Sequence, residues 1–256
     1  MPVDANSDWA AVRAWRKERR AELIARREAV PVAERRQWNA AITATLETAF
    51  PLLAGAVIGF CWPYRGEFDA RFVLRRFRER GAQTALPVVI GKGPLQFRRW
   101  WPGAPLKPGV YGIPVPDATE VLVPDAAIVP MNGFDGHGYR LGYGGGYFDR
   151  TLAASDPRPL TIGVAYELAR LPTIYPRPHD IAMDFVVTEA GIYVDSAAGL
   201  ARISAEACHA RAEQLWTDRR LPTQRMTVRG EFGSPPCYAH EFPGCSGANG
   251  KTPDGT

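Results

Sequence analysis

The chain has 256 residues and four cysteines, with a formal net charge of +4 and a sequence pI near 9.0. This length suits one α/β domain with or without an appendage. No apolar run reaches about 18 residues, so no membrane span is expected, and early acids argue against a secretory signal. The cysteines form no C-x-x-C pair, which predicts reduced thiols in a cytoplasmic protein. The basic balance favours anionic partners.

The first fifty residues predict two helices. Residues 9–29 are rich in Ala, Arg, Glu and Leu and contain no Gly or Pro, which favours a helix. Seven basic residues fall between Arg13 and Arg27, so the positive charge is concentrated in this helix. A second helix is expected over residues 32–50, because one apolar stripe recurs every four residues there. The stripe consists of Trp38, Ile42, Leu46 and Phe50.

Strands and helices are expected to alternate through the middle of the chain. The strand candidates are GAVIGFCW, TALPVVI, LQFRRWW, DAAIVP, LTIGVAY and DFVVTEAGIYV, and the helix candidates are FDARFVLRRFRERG and GYFDRTLAAS. This alternation predicts an α/β layered domain with a mostly parallel sheet. Ligands of such sheets bind beyond the carboxyl ends of the strands.

The composition changes after residue 196. Residues 196–221 read as one helix interrupted early by Gly199, and 11 of the 36 residues from 221 to 256 are Gly or Pro, which is typical of loop or disorder. The predicted division is therefore an α/β domain over residues 1–196 and a tail of unknown role over 197–256.

Two motifs in the tail invite a functional interpretation. CSGANGKT resembles a phosphate-binding P-loop, but Cys245 replaces the first glycine and no apolar strand precedes it, so the motif lacks its required context. Cys237, His240 and Cys245 could bind zinc if Cys208 or His209 supplied a fourth ligand. The alternative, that these residues bind no metal, stays open.

The segment GYRLGYGGGYFDR, residues 138–150, has too many glycines for a regular element across its first half. Backbone N–H groups of such a loop can converge on an anion at the start of the following helix. Arg140 would add a fixed charge, and Asp149 in the first helical turn could hold Mg²⁺. The alternative is a glycine-rich turn in which Asp149 only complements the helix dipole.

The longer segment PMNGFDGHGYRLGYGGGYFDRTL resembles the signature of the 5-formyltetrahydrofolate cyclo-ligase family, also called methenyltetrahydrofolate synthetases. The resemblance extends from the N-terminal helix to about Val194. The matching positions are Pro130, Phe134, Asp135, Gly138, Arg140, Leu141, Gly142, Tyr147, Phe148 and Asp149.

The resemblance implies an ATP-dependent closure of a folate ring. In this family the formyl oxygen of 5-formyltetrahydrofolate is phosphorylated, nitrogen 10 attacks the activated carbon, and phosphate leaves to give 5,10-methenyltetrahydrofolate. The implied fold is a three-layer α/β domain resembling the sugar-phosphate isomerase and CoA-transferase-like group. The resemblance implies a monomer whose binding partners are small-molecule substrates. It implies no binding to nucleic acid or to a membrane.

The resemblance also implies residues for ATP and magnesium. Arg16 and Arg20 match a basic pair on the first helix, with Arg16 where the family commonly has Lys. Asp149 matches one Mg²⁺ ligand, and Asp184 is expected to be the second, with Asp180 as its competitor. The implied ATP segment is Arg140, Leu141, Gly142, Tyr143, Gly144, Gly145, Gly146, Tyr147 and Phe148, in which Arg140 and Tyr147 are the expected catalytic residues.

For the folate, the resemblance implies Glu67 as a partner of the pterin and Tyr111 as a stacking aromatic where the family often has Trp. Tyr143, Gly144, Gly145, Gly146 and Tyr147 would also touch the substrate. Val115 stands where many members have Glu. These departures leave open a non-catalytic paralogue that binds nucleotide or a folate-like ligand. The arginine-rich helix raises a third reading, a nucleic-acid binder, which no recognition motif supports.

Overall fold

The computed structural model of the protein describes residues 9–220. The first four helices fall close to the positions that the sequence predicts, and the fifth starts later than predicted. The helices are α1 (Trp9–Ala29), α2 (Val32–Ala49), α3 (Arg71–Glu79), α4 (Tyr147–Ala154) and α5 (Ala205–Arg220), with short 3₁₀ turns at Pro51–Gly55, Val110–Gly112 and Glu167–Ala169.

Eight strands form the central sheet, and two small ribbons lie beside it. The sheet strands are β1 (Val57–Phe60), β2 (Gln83–Val89), β3 (Leu95–Arg99), β6 (Ala126–Pro130), β9 (Leu160–Val164), β10 (Phe185–Thr188), β11 (Gly191–Ser196) and β12 (Gly199–Ile203). The ribbons pair β4 (Leu106–Pro108) with β5 (Pro114–Pro116) and β7 (Gly133–Phe134) with β8 (Arg140–Leu141).

The sheet is parallel at its centre and antiparallel at both edges. Its strand order is β12-β11-β10-β9-β6-β1-β2-β3. The five strands from β10 to β2 run parallel, whereas β3, β11 and β12 pair antiparallel. The expected α/β class with a mostly parallel sheet and flanking helices is confirmed.

Two apolar cores cover the two faces of the sheet. On one face, α2, α3 and α5 bury side chains such as Leu46, Phe77 and Cys208 against strand residues such as Phe60 and Phe185. On the other face, α4 and the β7–β8 ribbon form a second cluster around β6 and β10. Residues alternate between these faces along each strand, so central strands are buried throughout, as in β9, which is buried at all five positions.

The helix predicted over residues 196–221 begins too early, because the observed helix α5 starts at Ala205. Residues 199–203 instead form β12, which pairs antiparallel with β11. The turn needs Gly199, which has a φ of +98°, and a Cβ there would lie 2.9 Å from the Gly136 carbonyl oxygen. Sheet pairing has overridden the local helix propensity of this alanine-rich stretch.

The domain boundary predicted at residue 196 falls between two paired strands of the structure. It would cut the β11–β12 hairpin and remove α5, whose Cys208 and Ala212 belong to the larger core. The α/β unit continues to Arg220, the last described residue. Nothing in residues 9–220 is a helix both long and apolar enough to cross a membrane.

The carboxylate of Asp184 ties α5 to the sheet. It accepts hydrogen bonds from both Nη atoms of Arg219, at 2.6 and 2.9 Å, and from the Thr161 N–H and hydroxyl at 2.8 Å each. Arg158 adds a further ion pair at 2.8 Å. Burial alone raises the pKa of Asp184, but the hydrogen bonds and charge of Arg219 outweigh it and hold the pKa below its ordinary value of 3.8.

We expect Asp184→Asn to lower the free energy of unfolding by about 2 kcal/mol at pH 7, because two arginines lose their counter-charge. A carboxyl whose pKa is depressed on folding stabilises the fold above its unfolded pKa and loses that contribution as pH falls through the folded value. The deficit of the variant should therefore vanish in strong acid, as measured by urea unfolding between pH 2 and 7.

Asp195→Asn is the control for this test. Asp195 lies about half exposed beside His137, so its loss should change stability by less than about 0.5 kcal/mol. Equal stability of wild type and Asp184→Asn at pH 7 would contradict the structural role assigned to Asp184.

Candidate active site

Helix α1 presents three arginines along one face. Arg16, Arg20 and Arg27 follow one another at intervals of four and seven residues, a spacing that stacks side chains on the same side of a helix. Each reaches a different loop at one end of the sheet. The helix thereby brings separate parts of the chain to a common site.

Arg16 binds the loop that precedes β10. Its guanidinium donates to the carbonyl oxygens of Ile174 and Tyr175, at 3.0 and 2.9 Å. It also pairs with the carboxylate of Asp180 at 2.6 Å, where both side chains are nine-tenths buried. Of the two aspartates considered for the metal, Asp180 is therefore the one that contacts the predicted phosphate-binding arginine.

Arg20 lies against the glycine loop that follows β8. Its Nε donates to the Gly142 carbonyl oxygen at 2.6 Å. Gly144 has a φ of +97°, and a Cβ there would come within 3.4 Å of three atoms of the Arg20 guanidinium. The glycine thus permits both the left-handed turn and the close approach of the arginine.

The loop ends at the start of α4, with Gly146 at the N-cap in the left-handed conformation and no side chain capping the helix. The first intrahelical bond runs from Arg150 N–H to the Gly146 carbonyl, so the first-turn N–H groups of α4 have no intrahelical acceptor. Tyr147 starts the helix and packs its ring under the Arg150 guanidinium, 4.9 Å from the ring centroid. A glycine turn, a helix N-terminus and Arg20 together form a surface suited to an anion.

Arg27 is the centre of a buried polar network. Its guanidinium donates to the Arg65 carbonyl oxygen at 3.0 Å, to Asn132 Oδ1 at 2.9 Å and to the Tyr143 hydroxyl at 3.2 Å. Tyr143 in turn donates to Glu67 Oε1 at 2.7 Å, and Glu67 Oε2 accepts from the Tyr64 N–H at 3.0 Å. The predicted substrate residues Glu67 and Tyr143 are thus in direct contact.

Glu67 is the acid of this network whose pKa is shifted. Burial raises its pKa above the ordinary 4.5, and the Arg27 charge with the Tyr143 and Tyr64 hydrogen bonds opposes that rise only in part. Burial and the neighbouring Glu67 charge also raise the pKa of the Tyr143 phenol. Glu67 lines a cavity together with Arg27 and Asn132, and the other walls are mostly apolar. Perturbed acids in a cavity are candidates for ligand binding.

Tyr111 extends this site through a row of aromatic rings. It stacks on Tyr64 with centroids 6.4 Å apart and an interplanar angle of 23°, and Tyr64 contacts the Tyr143 ring at 5.9 Å. Tyr111 is about half exposed and has a positive φ of 58°. The structure therefore connects the predicted stacking residue to Glu67 through Tyr64 and Tyr143.

Arg140 and Asp149 form a buried ion pair at 2.9 Å. Arg140 also donates to the Ile181 carbonyl oxygen at 3.1 Å, and Asp149 Oδ1 accepts from the Ile181 N–H at 3.1 Å. The Phe148 ring lies 5.6 Å from the Arg140 guanidinium, and Leu141 is buried against α1 beside Leu23. Asp149 is thereby fixed to the residue that follows Asp180.

The structure does not bring Asp184 to Asp149. The carboxylate of Asp184 is engaged by Arg219, Arg158 and Thr161, none of which contacts Asp149 in the hydrogen bonds and ion pairs given above. Within residues 9–220, no group of three His, Cys, Asp or Glu side chains could hold a metal. Cys237, His240 and Cys245 of the predicted zinc site lie outside the described residues.

The sequence analysis did not assign a role to Arg27, Tyr64 or Asn132. Arg27 carried a usable signal, because it lies seven residues after Arg20 on the face of the predicted phosphate-binding pair. The pairing of Asn132 with Arg27, 105 residues apart, had no local signal in the chain.

The chain belongs to the 5-formyltetrahydrofolate cyclo-ligase family, whose model matches residues 12–189. It is 30% identical to the 5-formyltetrahydrofolate cyclo-ligase of Mycolicibacterium smegmatis (strain ATCC 700084 / mc(2)155) over 179 residues, which cover 66% of this chain and 91% of the relative. The Escherichia coli (strain K12) 5-formyltetrahydrofolate cyclo-ligase is 26% identical over 176 residues, which cover 66% of this chain and 97% of the relative.

A solved structure also resembles this chain. The NMR structure of Aquifex aeolicus 5,10-methenyltetrahydrofolate synthetase matches with a TM-score of 0.61 and 28% identity, covering 69% of this chain and 91% of that one. The family resemblance inferred from residues 130–149 is confirmed.

We expect Tyr143→Phe to destabilise the protein by about 1–2 kcal/mol at neutral pH, because Glu67 loses a donor and Arg27 an acceptor in a buried network. The loss should shrink as the pH falls and Glu67 takes up a proton, because the neutral carboxyl depends less on the phenol. This direction follows because the hydrogen bond from Tyr143 lowers the pKa of Glu67. Urea unfolding at pH 4 and pH 7 measures the difference.

Tyr139→Phe serves as the control on the same segment, since its ring packs against the small cluster of Leu23, Leu141 and Ile174 outside the Glu67 network. A Tyr143→Phe loss that stays constant between pH 4 and pH 7 would show that the phenol does not support the ionised Glu67.

Proposed function

We propose that this chain converts 5-formyltetrahydrofolate to 5,10-methenyltetrahydrofolate with hydrolysis of ATP to ADP and phosphate. The observation that carries the proposal is the juxtaposition of two binding surfaces on one glycine loop. Arg20 and the start of α4 form an anion surface, and Tyr143 of the same loop closes onto the buried Glu67. A ring closure driven by phosphoryl transfer needs its two substrates to meet at such a point.

The ATP phosphates would lie on the glycine loop from Gly142 to Gly146. The backbone N–H groups at the start of α4 and the guanidinium of Arg20 supply positive charge there. Arg16 would complete the phosphate surface from the same face of α1. Both arginines are already held by loop carbonyls, so little reorganisation is needed on binding.

The edge of the pterin would face Glu67 at the small cavity that Glu67 lines, with Tyr143 to Tyr147 alongside. Glu67 carries oxygen acceptors at the cavity wall, matching the N–H groups of a pterin. Tyr111 and Tyr64 provide aromatic faces next to it. The Tyr111 ring is smaller than the Trp common in the family but is already stacked in place.

The donor set suits Mg²⁺, because carboxylate oxygens are its preferred protein ligands. Two carboxylates are tied to the proposed phosphate surface, since Asp180 pairs with Arg16 and Asp149 lies in the first turn of α4. We propose Asp149 and Asp180 as the ligands, in preference to Asp184. Asp149 is bonded to Ile181, the neighbour of Asp180, and both carboxylates are now balanced by arginines. Bound Mg²⁺ would neutralise phosphate charge during transfer.

Arg140 would act as a positioning residue. Its guanidinium is fully engaged with Asp149 and the Ile181 carbonyl oxygen, so it orients the metal carboxylate. Tyr147 lies at the junction of the loop and α4 and is the residue of this segment that we assign to contact with both substrates.

The same proposal includes the finer family assignments. These are the sugar-phosphate isomerase and CoA-transferase-like fold group, a monomeric state, and a cytoplasmic location, which suits the free thiols of Cys61 and Cys208. We propose a single α/β domain over at least residues 9–220, followed by a tail whose role we leave unassigned.

Purified full-length protein with 5-formyltetrahydrofolate and MgATP should generate the methenyl chromophore, with one phosphate released per product. Omission of ATP or addition of EDTA should abolish the signal. Calorimetric binding of folate or ATP by a folded sample that forms no product would instead identify the non-catalytic paralogue. Retention on DNA or RNA at physiological salt would support the nucleic-acid reading.

We expect Asp149→Asn and Asp180→Asn each to reduce kcat/KM by at least about 100-fold, because a charge that holds the metal at the transferred phosphoryl group is removed. Asparagine keeps an oxygen for the neighbouring donors, so the fold should persist. The apparent Mg²⁺ requirement should rise in both variants.

Asp195→Asn is again the matched control and should retain wild-type kinetics, since Asp195 lies in the exposed pair with His137. A raised Mg²⁺ requirement in Asp184→Asn, with no change in Asp180→Asn, would reverse the choice between the two aspartates.

A further inference from the structure

One buried amide beside Glu67 has a donor group left over. Asn132 lies two residues after the end of β6 and is 2% exposed, and its Oδ1 accepts from Arg27 Nη1 at 2.9 Å. A guanidinium only donates hydrogen bonds, so the atom facing it must be the oxygen, and this fixes which end of the amide is Nδ2. Asn132 Nδ2 is buried and has no hydrogen-bond partner among the described residues.

The amide lines the same cavity as Glu67. The wall around them is formed largely by apolar side chains, among them Leu23, Phe68 and Val164. A buried N–H without an acceptor is unfavourable, and native structures keep such groups mainly where a ligand or water completes them. The cavity therefore offers acceptor oxygens from Glu67 and, next to them, unused donors from Asn132.

Arg27 sets the spacing of these two groups. Its Nη1 holds Asn132 at 2.9 Å, and its Nη2 lies 3.8 Å from Glu67 Oε1. The acceptor carboxylate and the donor amide thus lie on two arms of one guanidinium. Because the arginine is 5% exposed and bonded on three sides, the pair is held in a fixed arrangement before any ligand arrives.

We propose that Asn132 Nδ2 donates to the carbonyl oxygen at position 4 of the substrate's pterin, while Glu67 accepts from the adjacent ring N–H and amino group. This inference rests on the proposed function of the same site. The pterin edge presents an amino group, a ring N–H and a carbonyl in sequence, which is two donors followed by one acceptor. Glu67 and Asn132 present the complementary set.

The arrangement makes Asn132 a specificity residue for oxo-pterins. An analogue with an amino group in place of the carbonyl would turn a donor towards the Asn132 amide. A site built to hydrogen-bond one group discriminates strongly against a ligand that leaves its buried polar groups unpaired. The wild-type protein should therefore bind 5-formyltetrahydrofolate more tightly than its 4-amino-4-deoxy counterpart.

Two variants test this by calorimetry with both ligands in the absence of ATP. Asn132→Leu removes the donor and should weaken 5-formyltetrahydrofolate binding about tenfold, with KM rising and kcat changing little. Asn132→Asp keeps an oxygen for Arg27 and turns a second oxygen towards the ligand. It should reverse the preference, so that the 4-amino analogue binds more tightly than the oxo compound.

Thr84→Val is the control for loss of a buried hydrogen bond elsewhere in the protein. Thr84, on β2, donates to the Trp100 carbonyl oxygen and does not line this cavity. It should leave both dissociation constants unchanged. If Asn132→Leu fails to fold, the preference of Asn132→Asp decides the question. Unchanged binding in Asn132→Leu, or a retained oxo preference in Asn132→Asp, would overturn the assignment of Asn132.

The test of Asn132 can fail independently of the test of the proposed reaction. A wild-type protein that forms no methenyl product contradicts the reaction, whatever the binding pattern. A wild-type protein that turns over normally, with Asn132 variants indistinguishable from it in affinity and in oxo preference, contradicts only the role of Asn132.

Discussion

The buried guanidinium of Arg27 is the interaction on which the rest of the site depends. It joins α1 to the loop after β1 through the Arg65 carbonyl, to the end of β6 through Asn132, and to the glycine loop through Tyr143. A charge 5% exposed is tolerated only when it is paired and hydrogen-bonded. Glu67 supplies the counter-charge, so the network is balanced only when all four segments are in place.

This constraint explains why a long N-terminal helix covers the end of a parallel sheet. Arg16 and Arg20 lie on the same face of α1 as Arg27, and they reach the loop before β10 and the glycine loop. The glycine loop alone is poor in apolar side chains. Fixed to one rigid helix, the loops acquire a defined geometry, which is what a site that must align two substrates requires.

The sequence predicted the elements better than their connections. Helix α1 and the strand segments were predicted well, because their periodicity and bounding Gly and Pro residues are local signals. The stretch after residue 196 was predicted wrongly, since an alanine-rich segment favours a helix until a neighbouring strand offers pairing. The preference for Asp184 over Asp180 could not be checked on the sequence, because chain distance does not reveal which carboxylate meets Arg16 and which meets Arg219.

The same contrast applies to the chemistry of the site. The chain carries a family resemblance in and beyond the glycine segment, so Glu67, Tyr143 and Asp149 could be assigned as candidates from the sequence alone. Asn132 could not, because its significance lies in an amide whose oxygen is held by a residue 105 positions away. A raised pKa at Glu67 and an unused donor at Asn132 both reduce the stability of the fold. Folding tolerates such local costs where they prepare a ligand site, and two of them lining one cavity indicate a pocket arranged for a ligand that carries both donors and an acceptor on one edge.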